Sequence, residues 1–264
     1  MLQAPALIAA VAASTTAQVE TTAEPGFRIV DNRPAVPGYK VQKADEAQES
    51  AQLVLDHLKI DLSTQGLQIT FGGDLCCVSG IGASAASCVA LARAVSAHFG
   101  LDLSENQVNA AAYEGEKGYH GTPSGVDNTA STFGGLLKFT RTDAEPLFET
   151  KKPAHKCGIV YASTGITAST TEVVGDVSKR KEEDPEWFEQ LFNQYTELLP
   201  KAEAALDQAD FVQVGQLLNK NHEFCQQLSV SCDELDKLVL TARAAGALGA
   251  KMSGMCGSCI CCSV

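Results

Sequence analysis

The chain has 264 residues, 45% hydrophobic, 20% charged and 6% aromatic, which is enough apolar content for a sizeable core and excludes global disorder. A net charge of −12 and a pI near 4.8 exclude the basic footprint of a nucleic-acid binder. The one basic triplet, Lys179-Arg180-Lys181, runs straight into Glu182, Glu183 and Asp184, and no apolar run reaches the roughly eighteen residues of a membrane helix.

Residues 1–17 support two readings, a signal-like leader without a charged start or a buried strand from Leu7 to Val11, and the strand is preferred. Pro25, Pro34 and Pro37 make 24–44 a loop or a run of short edge strands. Ala51, Leu53, Val54, Leu55 and Leu58 predict a helix over 45–60. In "GLQITFGG", Leu67, Ile69 and Phe71 alternate onto one face, the pattern of a half-buried strand.

A helix follows in the second part of 79–100, with Ala85, Cys88, Val89, Ala92 and Phe99 on one stripe and Gly100 at its end. "SENQ" is a capping box with Ser104 as N-cap and Gln107 reaching back, so the next helix runs from there to Glu116 or Lys117. Strands are expected over 136–140 and 156–163. Asp184 and Pro185 begin a helix that Pro200 ends, and two more cover 201–208 and 211–228. "SCDE", Ser231 to Glu234, is a second capping box, opening a helix that stops at Gly246. Strands and helices come first and helices last, which predicts an α+β fold with a boundary near 165–180.

Of ten cysteines, Cys256, Cys259, Cys261 and Cys262 crowd the last nine residues in a C-x-x-C-x-C-C spacing. Without a second ligand pair nearby this is a weak zinc signal. The other six sit in apolar or helical patterns, so a reducing, cytoplasmic setting is expected.

Two segments carry chemistry. In "SGIGASAAS", Gly80 and Gly82 allow close backbone approach, and the helix that Ser84, Ala85 and Ala86 open would favour an anion at its N-terminus. The plainer alternative is a glycine loop with Ser84 as an ordinary cap. In "EGEKGYHGTPSGVDN", Glu116 and Asp127 are separated by a Pro-Ser-Gly turn, a placement suited to Mg²⁺ ligation and to proton handling respectively. The alternative there is a solvated helix-end glutamate and an N-cap aspartate.

Together these segments resemble the GHMP small-molecule kinases, and within them the mevalonate kinases of the kinetoplastid-like branch. "SGIGASAA" is similar to the family's second motif, P-x-x-x-G-L-G-S-S-A-A, and "GEKGYHGTPSGVDNTASTFGG" to its G-E-x-x-x-H-G-x-P-S-G-x-D-N block. "GALGAKMSG" is similar to the approach to the third motif, and "STGITAST" also fits that branch.

The resemblance implies a two-lobed fold, with an N-terminal lobe over 1–165 like ribosomal protein S5 and a C-terminal helical, ferredoxin-like lobe over 166–264. It implies that Gly80, Ile81, Gly82, Ala83, Ser84 and Ala85 wrap the phosphates of ATP, and that Ser84 and Glu116 hold Mg²⁺. Asp127 would stand at the 5-hydroxyl of mevalonate and Thr164 on the substrate side, for transfer of the γ-phosphoryl group. Nucleic acid and membrane are not expected as partners, and a homodimer is allowed.

Three departures bear on this. The family's opening G-K-V-I-L-F-G-E-H motif, with its lysine, is not in the chain; Ala83-Ser84 stands for Ser-Ser; and "SGMCGSCICCSV" replaces a glycine-rich ending. The expectation is a fold short at both ends, lacking the last strand and helix, with impaired turnover. The alternatives are an inactive relative that binds nucleotide or a partner, and a GHMP sugar kinase.

Overall fold

The structure is a computed structural model that describes residues 5–77, 80–142, 146–152, 155, 158–166, 170–254 and 258–263. The elements run β1 (Ala6–Ala9), β2 (Thr15–Thr22), β3 (Gly26–Asp31), α1 (Tyr39–Gln42), α2 (Ala44–His57), β4 (Gly66–Gly73), α3 (Ala83–Phe99), α4 (Glu105–His120), α5 (Val126–Phe133), β5 (Leu136–Thr140), β6 (Leu147–Lys151), β7 (Gly158–Ser163), α6 (Thr170–Glu183), α7 (Pro185–Asp207), α8 (Phe211–Gln227), α9 (Asp233–Ala244), β8 (Gly249–Ser253) and β9 (Ser258–Ser263). They divide into two compact units, one made of Ile8–Leu137 and the other of Met1–Leu7 with Lys138–Val264. The mixed α+β class read from the sequence holds.

In the unit Ile8–Leu137, β4 lies between β2, antiparallel to it, and β3, parallel to it. Leu67, Ile69 and Phe71 on one face of β4 are buried, as their alternation predicts, against Val54 and Leu55 of α2, Leu91 and Val95 of α3 and Val108 of α4. The same period of two runs through β2, where Ala17 and Val19 pack on this core and Gln18 and Glu20 face solvent. The apolar start of the chain hid that strand from the sequence reading.

Helix α4 starts where the capping box puts it, Ser104 and Gln107 exchanging both bonds. It runs on to His120, beyond the expected Glu116 or Lys117. Gly115 and Gly118 allow the extra turn to pack tightly on α2. A Cβ on Gly118 would lie 2.5 Å from the Ser50 backbone nitrogen, and one on Gly115 would lie 2.6 Å from Val54 Cγ2.

In the other unit, Leu235, Val239, Ala250 and Met252 form a core between α9 and the sheet β7-β9-β8. Asp184 caps α7 as expected, its carboxylate accepting from the Trp187 N–H at 3.0 Å.

Several expectations are corrected. The strand read as Leu7 to Val11 is β1, half-buried at the edge of the sheet β1-β5-β6 rather than enclosed. Pro200 does not end a helix: α7 continues through it to Asp207, and the helix expected over 201–208 is its last part. Ser231 to Glu234 is no capping box; Cys232 is the N-cap but its side chain does not cap the helix, and the Ser231 hydroxyl donates to Asp236. Helix α6 and strand β6 were not foreseen, and the chain closes on β8 and β9, not on helices. Of the terminal cysteines, Cys256 lies outside the described residues.

Candidate active site

The loop before α3 turns on two glycines in the left-handed region, Gly80 at φ 67° and Gly82 at φ 76°, which a residue with a Cβ adopts only with strain. Gly82 is the N-cap of α3 and no side chain caps the helix. Ser84 is therefore not the cap, and the helix keeps uncapped N–H groups at an end that attracts anions. Ala83 and Ala85 are buried and anchor the first turn, while Ile81 and Ser84 are half-buried. The loop lies against α5: a Cβ on Gly82 would come within 3.3 Å of Asp127 Cβ.

Helix α4 brings Glu116 and His120, four residues apart, onto one face beside this loop. Glu116 is 2% exposed, and its Oε1 has no hydrogen-bond partner among the described residues. His120 Nε2 stands 3.8 Å from Glu116 Oε2 and 3.4 Å from the Ser84 hydroxyl oxygen. Burial pushes the Glu116 carboxyl up to about 7, the Ser84 hydroxyl works against that, and the nearby Asp127 charge adds to it. Burial holds the His120 imidazole below its usual value, with the Asp127 charge opposing.

Asp127 sits in the first turn of α5, whose N-cap Gly125 has φ 83°. The helix is pinned by Asn128, which donates to Asn109 Oδ1 at 2.7 Å, and by the Thr129 hydroxyl, which donates to the Gly125 carbonyl at 2.6 Å. Asp127 stays open to solvent, yet the protein packed around it pushes its carboxyl above the ordinary value, with the His120 charge pulling it back. Three helix ends thus bring Ser84, Glu116, His120 and Asp127 together in one unit. Thr164 belongs to the other unit, where its hydroxyl accepts the Ile166 N–H at 3.1 Å.

A cavity of about 300 Å³ opens beside the loop, lined by Ala83, Ser84 and Ser87 of α3, by Tyr119, and by Asp31, Arg33, Lys40 and Lys43. Arg33 is buried and grips Asp31 with Nε at 3.0 Å and Nη2 at 2.6 Å. Its Nη1 donates to the Ala83 carbonyl at 3.2 Å and to the Ser87 hydroxyl, tying β3 to the first turn of α3. Lys40 donates to the Asp31 carbonyl at 2.6 Å. Burial works to raise the Asp31 carboxyl, but the bonds and charge of Arg33 and the charge of Lys40 outweigh it and hold it below the usual carboxylate value. Sequence reasoning missed this cluster, which lies in the stretch read as loop, and gave no role to His120, although that residue stands inside the motif quoted for the site.

The family models described as GHMP kinases N terminal domain and GHMP kinases C terminal match residues 46–135 and 202–263. The mevalonate kinase of Pyrococcus horikoshii is 36% identical over 73% of this chain, a match that spans 57% of that relative's length. That of Pyrococcus furiosus is 32% identical over 96% of this chain and 80% of its own. The crystal structure of L. major mevalonate kinase in complex with R-mevalonate superposes with a TM-score of 0.94 at 44% identity, covering 99% of this chain and 81% of that one.

Proposed function

The chain belongs to the GHMP kinase family, close to its mevalonate kinases, and on that premise we propose that it transfers the γ-phosphoryl group of ATP to the 5-hydroxyl of mevalonate. The observation that carries the reading is the meeting of a glycine loop at an uncapped helix end with Ser84, Glu116 and Asp127. In the proposed arrangement the backbone of Gly80, Ile81, Gly82, Ala83, Ser84 and Ala85 holds the phosphates. The cavity lined by Lys40 and Lys43 takes the rest of the nucleotide.

The residues fit a magnesium ion. Glu116 keeps a buried carboxylate oxygen without a hydrogen-bond partner among the described residues, and the Ser84 hydroxyl acts on the same carboxyl. A hard cation that retains waters and shares substrate phosphates needs no more than one or two such protein ligands. Glu116 and Ser84 would hold it, and it would neutralise charge on the phosphates. Asp127, its carboxyl raised by the surrounding protein, suits a base at the substrate hydroxyl. As that oxygen bonds to the γ-phosphorus, the bond to the β-phosphate oxygen breaks, ADP leaves, and the hydroxyl proton passes to Asp127. Thr164 is assigned to the substrate side, and a lobe boundary at 165 is proposed from the family resemblance, although by compactness residues 138–165 group with the C-terminal part of the chain. Cytoplasmic action, read from the cysteine pattern, and a homodimer are carried forward as proposals.

The test is phosphorus NMR of the protein with ATP, Mg²⁺ and a panel of mevalonate, galactose and homoserine. Phosphomevalonate as the one new phosphoester is the expected result. Phosphorylation of a sugar instead, or no binding of ATP with Mg²⁺ by calorimetry, overturns the reading.

A further inference from the structure

We infer that His120 is a positioning residue for the metal-bound nucleotide, orienting the Ser84 hydroxyl and keeping Glu116 turned toward it; the inference rests on the function proposed above. His120 is the last residue of α4, fixed there by the Gly121 N–H, which donates to the Lys117 carbonyl at 2.8 Å, and by the Thr122 N–H, which donates to the carbonyl of His120 itself at 2.6 Å. From that fixed point a single ring nitrogen faces two of the three site groups: Ser84 Oγ at 3.4 Å and Glu116 Oε2 at 3.8 Å. The remaining Glu116 oxygen, Oε1, is buried and has no partner among the described residues.

A serine hydroxyl has one proton and two lone pairs. If an oxygen lone pair goes to a cation, the proton must point to an acceptor elsewhere. Glu116 can no longer serve well as that acceptor once its own oxygens face the same cation. In the tautomer with its ring proton on Nδ1, His120 offers a bare Nε2 3.4 Å from the Ser84 oxygen. The imidazole then fixes the Ser84 rotamer in which a lone pair points outward. The two groups that its Nε2 faces are the proposed metal ligands, so its effect should fall on metal-bound nucleotide and not on the acceptor.

The experiment compares the parent protein with His120→Leu and His120→Gln. Leucine fills the space without an acceptor, whereas the glutamine Oε1 can reach a place close to that of Nε2. Calorimetry is run with ATP in excess Mg²⁺ and with ATP in a chelator, beside steady-state kinetics for both substrates. For His120→Leu the expected result is about tenfold weaker binding of ATP with Mg²⁺, the scale of one lost hydrogen bond, with chelated ATP binding as in the parent. The Michaelis constant for ATP should rise and that for mevalonate should hold, and His120→Gln should regain most of the loss. If the leucine variant loses chelated and metal-bound ATP equally, with a fallen thermal midpoint that glutamine does not restore, His120 is a structural strut and the inference fails. If the parent protein itself binds no ATP, the functional reading fails first, a result visible before any variant is made.

Discussion

At the scale of single residues, Glu116 and Asp127 should respond differently to loss of charge. Glu116→Gln removes a proposed metal ligand, so its defect should shrink as Mg²⁺ is raised. Asp127→Asn removes the group proposed at the nucleophile, and added Mg²⁺ should leave its rate low. Kinetics across a magnesium series decide this, and equal rescue of both variants contradicts the roles. The Asp31–Arg33 pair sets a second expectation. The folded Asp31 carboxyl lies below its free value of 3.8, so the pair contributes stability above that pH and loses it as the pH falls through the folded value. Urea unfolding from about pH 6 down to about pH 3 should show a steeper loss in the parent than in Asp31→Asn. Asp31→Ala at neutral pH leaves Arg33 buried and unpaired, a change that costs about 3–5 kcal/mol. Ser84, Glu116 and Asp127 could be singled out as candidates because the motif spacing that marks them is local. Arg33 was not, since its bonds to Ala83 and Ser87 span 50 and 54 residues and no periodicity encodes a partner so distant.

At the scale of elements, local chemistry was readable where it decided the outcome and misleading where packing overrode it. The Ser104 box and the alternation in β4 need only near neighbours, and both stand. Pro200 is a helix breaker by its missing N–H, yet α7 buries Leu191 before it and Ala205 after it, and that continuous face holds the helix together. The glycines of α4 work in the same way. By propensity alone, alanine at either Gly118 or the exposed Gly175 of α6 should stabilise its helix by about 0.5–1 kcal/mol. Gly175→Ala meets nothing within 4 Å and should show that gain. In Gly118→Ala the new methyl meets α2 backbone at 2.5 Å, so the variant should lose roughly 1–3 kcal/mol instead. Denaturant midpoints of the two variants separate these outcomes, and a gain at Gly118 would mean that α2 and α4 are not in contact as described.

At the scale of the whole molecule, the order of elements disclosed the α+β class, but the return to strands at the end was hidden. β9 reads S-C-I-C-C-S, a cluster of cysteines before it reads as a strand, and its pairing with β7 and β8 depends on partners that only the fold supplies. Charge is also a property of the whole. The chain carries −12, while Arg33, Lys40 and Lys43 line the cavity beside the glycine loop with Asp31 the one carboxylate among its lining residues.

That cavity has a consequence for rates. An incoming polyanion meets repulsion from the molecule at long range and attraction only on arrival. Raising the salt from about 10 mM to about 150 mM shortens the screening length from about 30 Å to about 8 Å, which removes the far repulsion and spares the near contacts. Nucleotide capture should therefore quicken with added salt by a few-fold, the reverse of a steered encounter. Stopped-flow measurement of ATP association across that range reads the sign directly, and an association rate that falls with salt would mean that the lysines already govern the approach.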